Sequence, residues 1–338
     1  MSRVAVLGGG RSPEHAVSLR SAAAVVEALS EAGHDPVAIT IGQDGTWADG
    51  GGGFGPTPAA SLATALGVLA SCDVVFPVLH GAPGEDGAIA ALADLAGLPV
   101  VGCPAIGSAL AMDKHATKAV AAALGIGVAP GLLLLPGEDV PEVDLPAVVK
   151  PTTAGSSVGV SVVRDAAELA PAIAAARAAG DAVLVEHYVR GREVQLAVIE
   201  RRDGSLTVGR PIEYGVDEGD VFDTSRKYDG TAVVRFPASV KPAIDAALRE
   251  AAVRLFRALG CAGLSRFDFF VTDEDTEKGF VLNEVNTMPG MTPQSGFPRM
   301  ARAAGLDLPA LTDELVAVAL GRGQARGTSS TNRASAAR

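Results

Sequence analysis

Aromatic side chains are scarce in this chain: phenylalanine, tyrosine and tryptophan together make up 4% of 338 residues. Half-buried sheets usually draw on such residues, so an all-β fold is disfavoured, and alanine-rich helices packed on valine and leucine strands fit better. Cysteine is equally thin. Cys72, Cys103 and Cys261 are far apart and form no CxxC pair, which argues against a disulfide framework or a structural zinc and for a reducing cytosol. No apolar run is long enough to span a bilayer, and the N-terminus enters a strand pattern directly. Neither a transmembrane helix nor a signal peptide is therefore expected. Positive charge is also short, with 28 lysines and arginines against 39 acids and a net charge of −11. Four of the arginines fall in residues 322–338, which hold no acid, so the body is more acidic still. Such a body argues against nucleic-acid binding, and any phosphate site must be a local basic pocket. At 48% hydrophobic, the chain can bury a large core in more than one domain.

What is present is densest in residues 264–293. Two apolar runs, Leu-Ser-Arg-Phe-Asp-Phe-Phe-Val and Phe-Val-Leu-Asn-Glu-Val-Asn, flank an acidic turn at 273–279. That pattern is a β-hairpin with a longer loop. Alternation puts Arg266 and Asp268 on one face of the first strand, and Glu284 and Asn286 on one face of the second. If the faces coincide, two carboxylates and an amide oxygen sit together, a donor set suited to a hard cation such as magnesium. Arg266 is no ligand, but it suits a developing negative charge. The plainer reading is an edge hairpin with a solvated charged face. The rigid turn that follows, Thr-Met-Pro-Gly-Met-Thr-Pro, favours a site, since Gly290 lets a substrate approach the backbone.

Elsewhere the chain reads as alternating strands and helices. A strand at 3–7, the Gly8-Gly9-Gly10 turn and a helix at 16–32 open an α/β domain. Glu14 is either a favourable first-turn charge or a receiver for a substrate ammonium. Strands are expected at 37–41, 72–79 and 99–102, a loop at 49–58, and a helix from 87 to 96. His80 stands where the third strand ends, beside glycines and acids, at the strand end where parallel sheets bind ligands. A single helix is expected over 106–124, carrying Lys114 and Lys118. A strand at 146–150 ends in Lys150, and the Gly/Ser loop 151–159 leads into a second strand, a hairpin flap able to close over phosphates. After a helix at 165–180, a strand ends at Glu186, with Glu193 close behind. Strands at 194–200 and 206–211 extend the sheet, and the polar stretch 219–231, with Lys227 and Tyr228, reads as a lid. Helices follow at 241–259 and 306–320, and the tail 322–338 is expected to be disordered.

Three familiar motifs fail. The dinucleotide fingerprint breaks at Pro13, no Walker A loop occurs, and Gly155-Ser156-Ser157-Val158-Gly159 matches G-x-S-x-G but precedes a strand rather than the helix that a serine nucleophile needs.

Taken in order, residues 9–19, 80–87, 112–114, 149–159, 186–193, 227–228, 260–268 and 282–293 resemble the D-alanine–D-alanine ligase family of the ATP-grasp superfamily, over most of 3–320. The resemblance implies an α/β ATP-grasp fold, with an N-terminal parallel α/β domain (1–105) and two α+β subdomains (106–193 and 194–321) sandwiching ATP. It implies ATP-dependent joining of two D-alanines through a D-alanyl phosphate, for peptidoglycan synthesis. Lys114, Lys150 and Lys227 would neutralise phosphate charge, and Lys150, Glu186 and Glu193 would hold adenosine. Asp268, Glu284 and Asn286 would bind two Mg²⁺, with Mn²⁺ as a substitute. Glu14, with His80 close by, would hold the first D-alanine's ammonium, and Ser295 the second substrate's carboxylate. Arg266 and the Gly290 N–H would stabilise the oxyanion, and Glu14, Ser156 and Tyr228 would link the domains. A cytoplasmic homodimer is implied, with no membrane or nucleic-acid partner. Acceptors other than D-alanine, namely D-lactate or D-serine, and other ATP-grasp carboxylate–amine ligations are the alternatives. The chain departs from the family pattern at Ala16, where a second acid is common, at Phe222 and Thr224, where tyrosines are, and at Gly296, where a larger apolar residue is usual. The Lys227-Tyr228 pair favours D-alanine over D-lactate.

Overall fold

The computed structural model describes residues 1–180, 182–215, 233–276 and 278–335. Strand β1 (Arg3–Gly9) is buried from Val4 to Gly9, as a central parallel strand covered on both faces must be. Helix α1 (His15–Glu31) returns the chain to β2 (Asp35–Ile41), parallel to β1. A small antiparallel hairpin follows, β3 (Trp47–Asp49) and β4 (Gly52–Gly53); β4 lies within the stretch 49–58 expected as loop, and β3 ends at its first residue. Helix α2 (Pro58–Leu69), capped by the Thr57 hydroxyl, leads to β5 (Val74–Pro77) on the other side of β1. The sheet order is β4-β3-β2-β1-β5. No strand forms at 99–102. Val100 makes one bridge to Val75, and Gly102 then turns the chain away at φ +101°.

Helices α3 (Ala88–Leu95), α4 (Ala105–Met112) and α5 (Lys114–Ala123) cross to the next layer. The single helix expected at 106–124 is thus two. Asp113 takes an extended backbone (ψ 109°) and caps α5 by accepting the Ala116 N–H at 2.8 Å. Strands β6 (Gly131–Leu134), β7 (Ala147–Pro151), β8 (Ser161–Val163) and β9 (Val183–His187) form an antiparallel sheet in the order β6-β9-β7-β8. One face is covered by α6 (Ala166–Ala179), which starts with an Asp165/Glu168 capping box and buries Leu169, Ile173 and Ala176 against Val149, Val163 and Val185.

The third sheet contains β10 (Arg192–Glu200), β11 (Leu206–Val208), β12 (Ile212–Gly215), β13 (Val233–Arg235), β14 (Leu264–Val271) and β15 (Phe280–Asn286). Among the described residues its order is β13-β12-β10-β14-β15, with β11 on β10. Between β13 and β14 runs α7 (Pro242–Ala258), and α8 (Gly296–Ala303) and α9 (Leu308–Ser335) close the chain. Alternation sorts the sheet's faces. Val194, Leu196, Phe267, Phe269 and Val285 pack with Leu248 and Phe256 of α7. Phe267 and Phe269 are fully buried there, so truncating either costs roughly 3–5 kcal/mol. A second core joins Val4, Val6 and Phe76 of the first sheet to Ala197, Leu264, Leu311 and Leu315. That shared core holds the N-terminal loops against the end of β15. Helix α9 runs through residues 322–335, where a disordered tail was expected. No described helix is long and apolar enough to cross a membrane.

Candidate active site

The hairpin register settles the first question. Arg266 lies opposite Asn286 and Asp268 opposite Glu284, so all four side chains share one face. On the neighbouring strand Gln195 pairs with Asp268 and Glu193 with Phe270, which adds both to the same face. Arg266 forks onto Asp268, with Nε donating to Oδ1 at 2.8 Å and Nη2 to Oδ2 at 2.7 Å. Gln195 Nε2 and Asn286 Nδ2 each donate to Oδ2 at 3.3 Å, and Gln195 Nε2 also donates to Glu193 Oε1 at 2.7 Å. Burial works against the Arg266 charge, but the Asp268 carboxylate outweighs it and holds the guanidinium above its ordinary value. Gln195 was not singled out in the sequence, although the same alternation in Arg192–Glu200 points to it.

The hairpin also carries a β-bulge. Asp268 pairs with Glu284 and Phe269 with Leu282, leaving Asn283 as the extra residue. Two neighbours, Asn283 and Glu284, can therefore both face the cleft, which regular alternation would forbid. The cleft opens between this sheet and the β6–β9 sheet. From the opposite wall Lys150, near the end of β7, donates to Glu186 Oε2 at 2.7 Å and to Asn283 Oδ1 at 3.4 Å. Lys118 reaches the other Glu186 oxygen from α5. Burial tends to raise the Glu186 carboxyl, but Lys150 and then Lys118 hold it below its usual range. Burial and the facing Lys150 push Lys118 down to about 7. Lys114, the first residue of α5, donates to the Ala154 carbonyl at 2.7 Å and lies 3.4 Å from Glu284 Oε2, tying helix, flap and hairpin together. Ser156 and Ser157 in the flap both take left-handed backbone (φ 49° and 57°), at roughly 1–2 kcal/mol each, a strain characteristic of functional loops.

The first sheet brings its loops to the cleft's other end. A Cβ on flap residue Gly155 would lie 3.1 Å from Glu14 Oε2, and one on Gly81 3.8 Å from the same oxygen, so the Glu14 carboxylate sits between the two glycines. His80 is buried behind them. Its Nδ1 lies 2.9 Å from the Met288 carbonyl, which can only accept, so Nδ1 carries the proton. Ser21 Oγ accepts the Met291 N–H at 3.2 Å and lies 3.3 Å from His80 Nε2, so both imidazole nitrogens are engaged in bracing the 287–293 turn. Glu85, seen in the sequence only as one of the acids near His80, braces the same turn. It accepts the Gly81 N–H at 2.9 Å and the Met288 N–H at 3.2 Å. Burial, and next the Glu14 charge, push its carboxyl up to about 7. At the far side of the turn a Cβ on Gly290 would lie 3.0 Å from Ser295 Oγ, which is 2.8 Å from Thr292 Oγ1. Lys227, Tyr228 and the expected lid lie outside the described residues.

Two sheets clasping a cleft, with Lys114, Lys118 and Lys150 on one wall and the carboxylates of Glu193 and Glu284 on the other, define an ATP-grasp fold. The chain belongs to the D-alanine–D-alanine ligase family: residues 3–103 match the D-ala D-ala ligase N-terminus and residues 137–317 the D-ala D-ala ligase C-terminus. It is 41% identical to the D-alanine–D-alanine ligase of Mycobacterium sp. strain KMS, over 95% of this chain and 97% of that protein. It is similar in structure to the D-alanine-D-alanine ligase of Coxiella burnetii, with a TM-score of 0.82, 29% identity and 99% of each chain covered. It is likewise similar to the VanG D-Ala:D-Ser ligase of Enterococcus faecalis, with a TM-score of 0.77, 32% identity, and 94% and 98% covered.

Proposed function

We propose that this chain joins two D-alanines to D-alanyl-D-alanine with ATP, releasing ADP and phosphate, in the cytoplasm and for peptidoglycan precursors. The carrying observation is the register that puts Arg266, Asp268, Glu284 and Asn286 on one sheet face, from which Glu284 lines the cleft together with Lys114 and Lys150. Phosphoryl transfer needs mainly positioning and charge neutralisation, which such a cleft supplies. ATP lies between the two sheets, with Glu186 and Glu193 at the adenosine end and Lys114, Lys150 and Lys227 at the phosphates. Glu14 holds the first D-alanine's ammonium, and its carboxylate attacks the γ-phosphorus to give D-alanyl phosphate and ADP. Ser295 holds the second D-alanine's carboxylate while its amine attacks the acyl carbon. The Arg266 guanidinium and Gly290 N–H stabilise the tetrahedral oxyanion, which collapses with loss of phosphate. Glu14, Ser156 and Tyr228 connect N-terminal domain, flap and lid, excluding water from the acyl phosphate. His80 acts as a positioning residue, since its ring braces the turn bearing Gly290.

The donor set on the hairpin face fits magnesium. Two carboxylates and an amide are hard oxygen ligands of the kind that leave room for water and phosphate, and no fuller cage of acids, thiols or imidazoles occurs among the described residues. Asp268, Glu284 and Asn286 would hold two Mg²⁺ ions, or Mn²⁺, which when bound neutralise charge on the phosphates. A homodimer accompanies this reading. D-serine, the acceptor in VanG's name, is the alternative second substrate. Incubating the protein with magnesium, D-alanine and ATP labelled with ¹⁸O at the β,γ-bridge tests the first step. D-Alanine-dependent scrambling of label into the β-non-bridging position is expected from reversible acyl phosphate formation; its absence during turnover would contradict that intermediate.

A further inference from the structure

This inference rests on the reading above, in which the acceptor amino acid lies by Arg266, Gly290 and Ser295. We propose that Tyr214 is a specificity-determining residue of that acceptor subsite: its phenol fills the space above Gly296 and limits the size of the acceptor's side chain.

Tyr214 lies on β12 opposite Glu193, and therefore on the face that carries Gln195, Asp268 and Arg266. Its hydroxyl reaches the start of α8. A Cβ on Gly296 would lie 2.8 Å from Tyr214 Oη, while the next atoms, Gln195 Oε1 and Ile212 Cδ1, are both 3.8 Å away. Gly296 is not among the residues with left-handed backbone, so its conformation does not call for glycine. The phenol does. Gly296 directly follows Ser295, the residue assigned to the acceptor's carboxylate. The hydroxyl thus sits at the residue next to the group assigned to the acceptor's carboxylate, on the sheet face that carries Arg266.

The strand that carries Tyr214 is held from its other face. Glu213 is buried and accepts from Arg192 Nη1 at 2.7 Å and from Arg235 Nη1 at 2.8 Å. A wall fixed in this way can reject a side chain instead of yielding to it. One methylene in such a pocket is worth about 10–200-fold in discrimination.

The test uses the full chain with ATP, magnesium and D-alanine as donor, and measures kcat/KM for D-alanine, D-2-aminobutyrate and D-norvaline as acceptors. Donor and acceptor KM values are resolved separately. Tyr214→Ala is expected to raise the larger acceptors at least tenfold relative to D-alanine, with the donor KM unchanged. Gly296→Ala is expected to raise the acceptor KM, because its methyl meets the hydroxyl, and adding Tyr214→Phe is expected to restore it. A merely structural role would move donor and acceptor KM values and thermal stability together, with no such rescue. A wild-type enzyme that makes no dipeptide overturns the functional reading and this inference with it. An active wild type whose variants keep the acceptor ranking, with Gly296→Ala indifferent to Tyr214→Phe, overturns the inference alone.

Discussion

Replacing Glu85 by glutamine tests how the N-terminal loops are locked to the catalytic turn. Burial, then the Glu14 charge, raises the Glu85 carboxyl from 4.5 to about 7 in the folded protein. The folded state therefore binds more protons than the unfolded state between those values. Stability is fully supported by this group below pH 4.5 and is lost as pH rises through 7. At about 1.4 kcal/mol per pH unit the loss is about 3 kcal/mol. Glu85→Gln cannot ionise, so it is free of that loss. It does turn one amide NH₂ towards the N–H of Gly81 or Met288, which costs about 1–3 kcal/mol at every pH. The sign at a single pH is therefore uninformative, and the slope decides. Urea unfolding can be followed through the single tryptophan, Trp47, which is buried in the same N-terminal sheet. Variant minus wild-type stability is expected to rise by about 3 kcal/mol between pH 4.5 and pH 8. Parallel curves would refute the reasoning.

Three further outcomes are expected. Arg266→Ala should lower kcat by about 10²–10³-fold, since it removes an oxyanion donor, and should cost about 3–5 kcal/mol of stability by stranding buried Asp268; steady-state kinetics and denaturant melts check both, and unchanged turnover would remove Arg266 from its role. Lys150→Met should raise the ATP KM by about 10–100-fold while leaving the D-alanine KM values near wild type, as expected for the loss of one charge-assisted contact to phosphate. Gly155→Ala should raise the first D-alanine's KM several-fold, because its methyl would lie 3.1 Å from Glu14 Oε2; an effect confined to the ATP KM would contradict the placement of Glu14.

Much of the site was legible because a strand's period is two. Once residues 264–271 and 280–286 read as strands, the shared face of Arg266, Asp268, Glu284 and Asn286 followed. The bulge at Asn283 was not legible, since an extra residue in one strand leaves no mark in apolar periodicity. Glu186 with Lys118 and Lys150 was visible only as three separate charges, 32, 36 and 68 positions apart in sequence, and long-range packing alone brings them together. The roles of Glu85 and His80 in bracing the turn were hidden because their partners are backbone groups of Met288, and main-chain contacts carry no residue signature. In the fold, the break at Asp113 was there to be read as a helix-capping aspartate, but the apolar pattern runs across it. The expected strand at 99–102 failed because Gly102 leaves the sheet after one bridge.

The most direct test of the account is magnesium-dependent phosphate release from ATP with dipeptide detected in the same tube, comparing D-alanine alone, D-alanine with excess D-lactate or D-serine, and L-alanine. The account predicts one D-alanyl-D-alanine per phosphate from D-alanine alone, little mixed product, and no release with L-alanine. Phosphate release without dipeptide, or none with D-alanine, would contradict it.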